Sequence, residues 1–118
     1  MKQLLAKSVD ATKSIGTSTF VSAILHEDEP VLSGLNLGDS GYMLMRRLDE
    51  KPQSERGEDM VPYKLVYRTK EQQYKFNHPY QCGTNYPNAA AAAGEFKHSV
   101  EQDDMVVMAS DGLFDNLT

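Results

Sequence analysis

The chain has 118 residues, of which 40% are hydrophobic and 25% charged, with a net charge of -5. This is a globular composition with room for one core, and no basic stripe is available to neutralise phosphates, which excludes nucleic acid as a main partner. Cys82 is the only cysteine; an internal disulfide is excluded and an intracellular protein favoured, while the apolar runs are too short for a membrane span.

In chain order, residues 2–14 put Leu4, Leu5, Ser8, Val9 and Thr12 on one helical face and predict a weakly amphipathic surface helix stopped at Gly16. Its lysines and hydroxyls are those of a mitochondrial leader, but it has no arginine and carries Asp10. "TSTFVSAILH", residues 17–26, is rich in β-branched residues and predicts a strand. A turn, "EDEP", precedes strands at 31–37 and 42–47. The short "GDSG" between these two strands predicts a hairpin with Asp39 near its tip. Strand 42–47 alternates Tyr42 and Leu44 with Met43 and Met45; that predicts a second sheet on one side and a helix on the other.

Residues 48–62 are almost all polar and predict a loop inserted between strands. A strand follows at 63–68. "FNHPYQCGTNYPN" carries two prolines and predicts irregular structure. The alanine run before Gly94 suits a helical turn, and 95–100 a strand. "MVVMAS", residues 105–110, is uncharged on both faces and predicts a central strand covered on both sides.

That strand ends on Asp111-Gly112, and Asp115 follows. A carboxylate at the end of a buried strand needs compensation, from an arginine, from the backbone N–H groups of a following helix, or from a metal ion. As an N-cap, Asp111 would serve structure alone. Taken singly, Asp115 reads as a solvated helix residue and Asp39 as a turn aspartate. His26, His78 and His98 are scattered and read as surface or hydrogen-bonding residues, so no cysteine and histidine cluster offers a zinc site.

Together the segments say more. "GTSTF" at 16–20, "NLGDSGYMLMR" at 36–46, "EQQYKFNHPYQ" at 71–81 and "ASDGLFDN" at 109–116 occur in this order. The arrangement resembles the metal-dependent (type 2C, PPM) Ser/Thr protein phosphatases, and within them the mitochondrial-type branch. The resemblance runs over residues 2–118, less the polar insertion. It implies an α+β fold, an antiparallel β-sandwich flanked by helices, of which this chain would be an incomplete, central part. The branch also implies a mitochondrial location.

The chemistry it implies is hydrolysis of phosphoserine and phosphothreonine on a protein substrate by a metal-activated water, with no catalytic side chain. Mg²⁺ or Mn²⁺ suits an all-oxygen site. By the resemblance, Asp111 matches a ligand of the dinuclear centre, and Asp39 and Asp115 match acids of a further, weaker metal site. Gly38 and Gly112 would let the backbone approach closely. Ser40 lacks the strand-nucleophile-helix setting of a hydrolase elbow and is expected to be a turn hydroxyl.

The sequence also departs from the family. The commoner hairpin form is Gly-Asp-Ser-Arg, and here Gly41 stands fourth. No Asp-Gly-x-Gly-Gly-like motif supplies the bridging ligand, the phosphate-binding arginine is missing, and so is the final metal-ligating aspartate. The missing flanks of the parent domain are the implied partners of this chain. A catalytically inactive pseudophosphatase or structural subunit is the rival reading, and a small all-β binding module a third.

Overall fold

A computed structural model describes residues 1–48 and 62–117. The predicted polar loop falls almost wholly outside the described residues; at its base the Leu48 N–H donates to the Pro62 carbonyl at 2.9 Å.

The first helix, α1, spans Lys2–Ala11. It ends three residues earlier than the apolar pattern predicts, because Thr12 turns to extended backbone while its N–H still reaches the Val9 carbonyl. The Ser8 and Thr12 hydroxyls bond back to the Leu4 and Ser8 carbonyls, a local competition that weakens helices. The expected strand 17–26 is two, β1 (Thr17–Ser18) and β2 (Phe20–Leu25). The break falls at Thr19, where the chain changes partner.

Two three-stranded antiparallel sheets form the body. One joins β2, β3 (Val31–Leu37) and β9 (Gly94–Ser99), with β3 central. The other joins β10 (Met105–Ala109), β4 (Gly41–Arg47) and β5 (Tyr63–Arg68), with β4 central. A short hairpin, β6 (Gln73–Lys75) with β7 (His78–Pro79), turns at Asn77, whose φ is 56°. A further strand, β8 (Cys82–Gly83), pairs with β1. The stretch expected to be irregular therefore holds two short strands, β7 and β8; Pro79 is tolerated because its ladder has only two strands. A 3-10 turn at Ala89–Ala92 follows.

The hairpin expected between 31–37 and 42–47 does not form. β3 pairs with β2 and β9, whereas β4 pairs with β10 and β5. "GDSG" is instead a corner that carries the chain from one sheet to the other. Both strands are central in their own sheets, so neither has a free edge to offer its sequence neighbour.

The sheets pack face to face. Tyr42 and Leu44 of β4 are fully buried, and the Tyr42 ring meets Phe96 of β9 edge-on at 5.2 Å between centroids. Tyr67 of β5 stacks near His98 at 4.3 Å. Gly34 makes this possible, since a Cβ there would lie 2.8 Å from Phe96 and 2.9 Å from the Tyr42 ring. On the outer face of the first sheet, Leu35 and Leu37 pack with Leu5 of α1 and with Ala90 and Ala93. The helix therefore covers β3, not a face of β4 as the alternation implied. Nor is β10 central: it lies at the edge of its sheet among the described residues, with Met105, Val106 and Met108 exposed. No described helix is long and apolar enough to cross a membrane.

Candidate metal centre

The sheet crossover and the end of β10 meet at one corner of the sandwich. β10 lies against β4 with Ala109 opposite Gly41. This register sets the end of one strand beside the start of the other. Asp39 precedes Gly41 by two residues, and Asp111 follows Ala109 by two. The sequence gap of about seventy residues is thus closed by a single antiparallel ladder.

After Ala109 the chain turns into α2 (Asp111–Phe114). Ser110, not Asp111, occupies the N-cap position, and its side chain makes no capping bond. Asp111 is the first helical residue, and its carbonyl accepts the Asp115 N–H at 2.8 Å. This turn puts Asp111 and Asp115 near each other, and buried Phe114 anchors it. The Arg68 guanidinium lies over the Phe114 ring, 5.1 Å from its centroid.

Asp39 feels both acids of α2. Its carboxyl is held above the ordinary carboxylate value, first by burial, then by the negative charge of Asp111 and, more weakly, of Asp115; a bond to its own backbone pulls the other way. No described residue forms an ion pair with any of the three acids. A carboxylate half-buried beside two others, with no cation beside it, has a donor set suited to a hard divalent ion. The fit is incomplete: among the described residues, no three carboxylate, imidazole or thiolate side chains stand close enough to make a metal cage. The histidines are used elsewhere. His26 shares a hydrogen with Ser33 and His78 sits against the Phe76 carbonyl, while His98 is in the sandwich interior.

The corner itself is tightly held. Gly38 has a φ of 103°, and a Cβ there would lie 2.5 Å from the Tyr80 carbonyl and 2.6 Å from the Thr19 methyl. Ser40 is buried and its hydroxyl meets that of Thr19 at 2.6 Å, which is the role of a turn hydroxyl. Thr69 bonds Tyr42 twice, accepting from its N–H with Oγ1 and donating its own N–H to the carbonyl. A Cβ on Gly41 would collide with Thr69 Oγ1; the arginine of the commoner motif has no room here. Gln72 holds Gly38 from the other side. Gly112 is exposed, and outside its own helical turn a Cβ there would meet the Ser110 hydroxyl alone, at 3.5 Å. Sequence reasoning did not find Thr19, Arg68, Thr69 or Gln72. The "EQQ" segment was the only signal for Gln72 and "GTSTF" the only one for Thr19, and nothing marked Arg68 or Thr69.

No protein-family profile matches the chain. Individual relatives do. It is 32% identical over 132 residues to a Drosophila mojavensis protein named "Protein phosphatase PTC7 homolog fig", covering 98% of this chain and 36% of that one. It is 33% identical over 116 residues to a rice protein named "Probable protein phosphatase 2C 71", covering 98% of this chain and 21% of that one. Among solved structures, "X-ray structure of the photosystem II phosphatase PBCP" superposes with a TM-score of 0.80 at 26% identity, over 99% of this chain and 40% of that one. The chain spans little more than a third of the fly relative's length.

Proposed function

Because the chain is homologous over nearly its whole length to a segment of the type 2C (PPM) protein phosphatases, we propose that it forms the central part of such a phosphatase domain. Its substrate would be a protein phosphorylated on serine or threonine. The observation that carries the reading is the convergence of Asp39 with Asp111 and Asp115, which leaves Asp39 repelled by both.

Asp111, Asp39 and Asp115 would hold Mg²⁺ or Mn²⁺. Such ions, when bound, neutralise phosphoryl charge and activate a water. The chain's own residues do the rest of the local work. α2 presents two carboxylates on one turn, and the β4–β10 ladder fixes their distance from the crossover. Arg68, held over Phe114, brings a cation beside α2. We propose an intracellular location from the lone Cys82, and a mitochondrial one from the branch resemblance alone.

The sequence offers no candidate for the bridging ligand, so catalysis would need residues from outside the matched segment. The test is metal-dependent hydrolysis of a phosphothreonine peptide. The 118-residue chain should do no better than buffer with the same metal. A chimera supplying the flanking segments of the fly relative should turn over with Mn²⁺ or Mg²⁺. Asp111→Asn in that chimera should cost more than the ~10–100-fold loss typical of an outer-shell partner. An Asp111→Asn chimera as active as its parent would overturn the reading. A chimera that binds Mn²⁺ but never turns over would favour the inactive scaffold.

A further inference from the structure

The acids of the corner are held by very different means. Asp111 and Asp115 ride on a helical turn with its own hydrogen bonds. Asp39 lies in a crossover without ladder partners, between Gly38 and Ser40, so its direction depends on what grips its neighbours. Ser40 is gripped by Thr19. Gly38 is gripped at both its N–H and its carbonyl by a residue 34 positions away in sequence, and its carbonyl also accepts a longer bond from the buried Asn36 amide at 3.3 Å.

That residue is Gln72. Its backbone N–H donates to the Gly38 carbonyl at 2.9 Å. Its side-chain Oε1 accepts the Gly38 N–H at 3.0 Å, so both main-chain polar groups of the residue before Asp39 end on Gln72. The other half of the same amide, Nε2, donates to the Ala92 carbonyl at 3.0 Å. This fixes which way the amide faces, since an amide flipped the other way would set donor against donor and acceptor against acceptor. The Ala92 end belongs to the 3-10 turn that packs on α1 and β3. Gln72 therefore ties the Gly38 side of the crossover to the hydrophobic core.

The peptide between Gly38 and Asp39 is what this grip orients. Gly38 sits at positive φ, a region that glycine enters and leaves at little cost, so the backbone there has no intrinsic preference for this conformation. Two hydrogen bonds from Gln72 supply most of that preference, with the longer Asn36 bond beside them. We propose that Gln72 is a positioning residue, which holds the Gly38–Asp39 peptide so that the Asp39 carboxylate faces Asp111 for shared binding of a divalent cation. The inference rests on the metal-site reading given above. It gives the Gln-Gln segment a part in the site although it contributes no ligand.

The probe is Mn²⁺ alone, titrated into the 118-residue chain and read by paramagnetic broadening of amide signals. The wild type should lose the Asp39 and Asp111 amides together. Gln72→Met keeps the length of the side chain and removes both amide bonds. It should weaken Mn²⁺ at Asp39 by about tenfold, the scale at which outer partners tune metal affinity. Gln81→Met serves as the control, because Gln81 makes only a 3.5 Å contact with Tyr86. The melting temperature of Gln72→Met should fall no further than that of Gln81→Met.

A wild type in which Mn²⁺ broadens neither amide removes the metal site, and this inference with it. Broadening in the wild type that Gln72→Met leaves unchanged sinks the positioning role alone. A weaker affinity accompanied by a melting loss well beyond the control would make Gln72 a structural residue and sink it too. Should Gln72→Met fail to fold, hydrogen exchange of the wild type decides. The Gly38 amide should exchange at least ~10-fold more slowly than those of the exposed residues 102 and 103, as a bonded amide does, and equal rates would overturn the proposal.

Discussion

Asp39 illustrates how one side chain reports on its surroundings before any ion is present. Burial and two like charges hold its carboxyl above the ordinary value. The native state therefore keeps a proton that the unfolded chain has already released. Stability from this group is full below the ordinary carboxylate range and is lost as pH rises through the raised value. At pH 7 the ionised Asp39 costs stability, and Asp39→Asn should raise the metal-free unfolding free energy by a few tenths to ~1 kcal/mol, the scale of partly exposed charge pairs. Mn²⁺ should stabilise the wild type and leave Asp39→Asn with little or no gain. Urea unfolding with and without the metal measures both, and a less stable Asp39→Asn in metal-free buffer would contradict the repulsion. The acids were legible in the sequence because Asp-Gly after an apolar strand and "GDSG" are local patterns. The clamp around them was not. Thr19, Thr69 and Gln72 act through contacts with residues far off in sequence, and a threonine or glutamine in a polar stretch has no local sign of such a partner.

At the scale of elements, the alternation in β4 separated Tyr42 and Leu44 from Met43 and Met45, and it is the first pair that is buried between the sheets. The pairing of the strand was misread, because a four-residue, glycine-flanked link suits a hairpin and a sheet-to-sheet corner equally well. What decides is the partner strand, and β9 and β10 come from the far end of the chain. The other end of β4 shows how the two sheets are tied. Arg46 grips Asp104 through two nitrogens at 3.0 Å each, reaches the Ser99 carbonyl at 3.4 Å and meets Glu101 at 3.1 Å. The Asp104 side chain is 4% exposed, and it also accepts the Glu101 N–H at 2.8 Å. The Arg46 hydrogen bonds hold its carboxyl below the ordinary value, against burial, with the Glu101 backbone bond helping. The sign is opposite to that of Asp39: the contribution is complete above the ordinary carboxylate range and is lost as pH falls through the lowered value. Asp104→Ala strands a guanidinium between the β9–β10 turn and β4, and should cost ~1–3 kcal/mol. Its urea midpoint should converge with that of the wild type as pH falls below the ordinary carboxylate range, and a constant gap between the two would show that the ion pair is not the source.

The whole molecule is broad and thin, with extents of 57 × 36 × 20 Å. Two sheets about 10 Å apart account for the thin dimension. The radius of gyration is 17.1 Å, against about 13.5 Å for a compact domain of this length. A body so flat has much surface for its core. The consequence gathers at β10, whose outer backbone edge has no partner among the described residues and whose Met105 and Met108 are 38% and 43% exposed. Leu65 and Val66 of β5, Leu113 of α2 and Leu117 beyond it are exposed as well. An apolar strand edge left unpaired is a template for another strand, and a patch of this kind drives association. The 118-residue chain should therefore self-associate with rising concentration in sedimentation velocity. Lysine is the residue that natural sheets place on such edges. The double substitution Met105→Lys, Met108→Lys should shift the chain toward monomer while keeping the far-ultraviolet dichroism of the parent. The flanked chimera offers the complementary measurement, since a neighbouring segment laid along β10 would remove the edge without any charge. If the parent chain is monomeric at every concentration, β10 is not a sticky edge, and the exposed methionines must be shielded by some other arrangement of the chain.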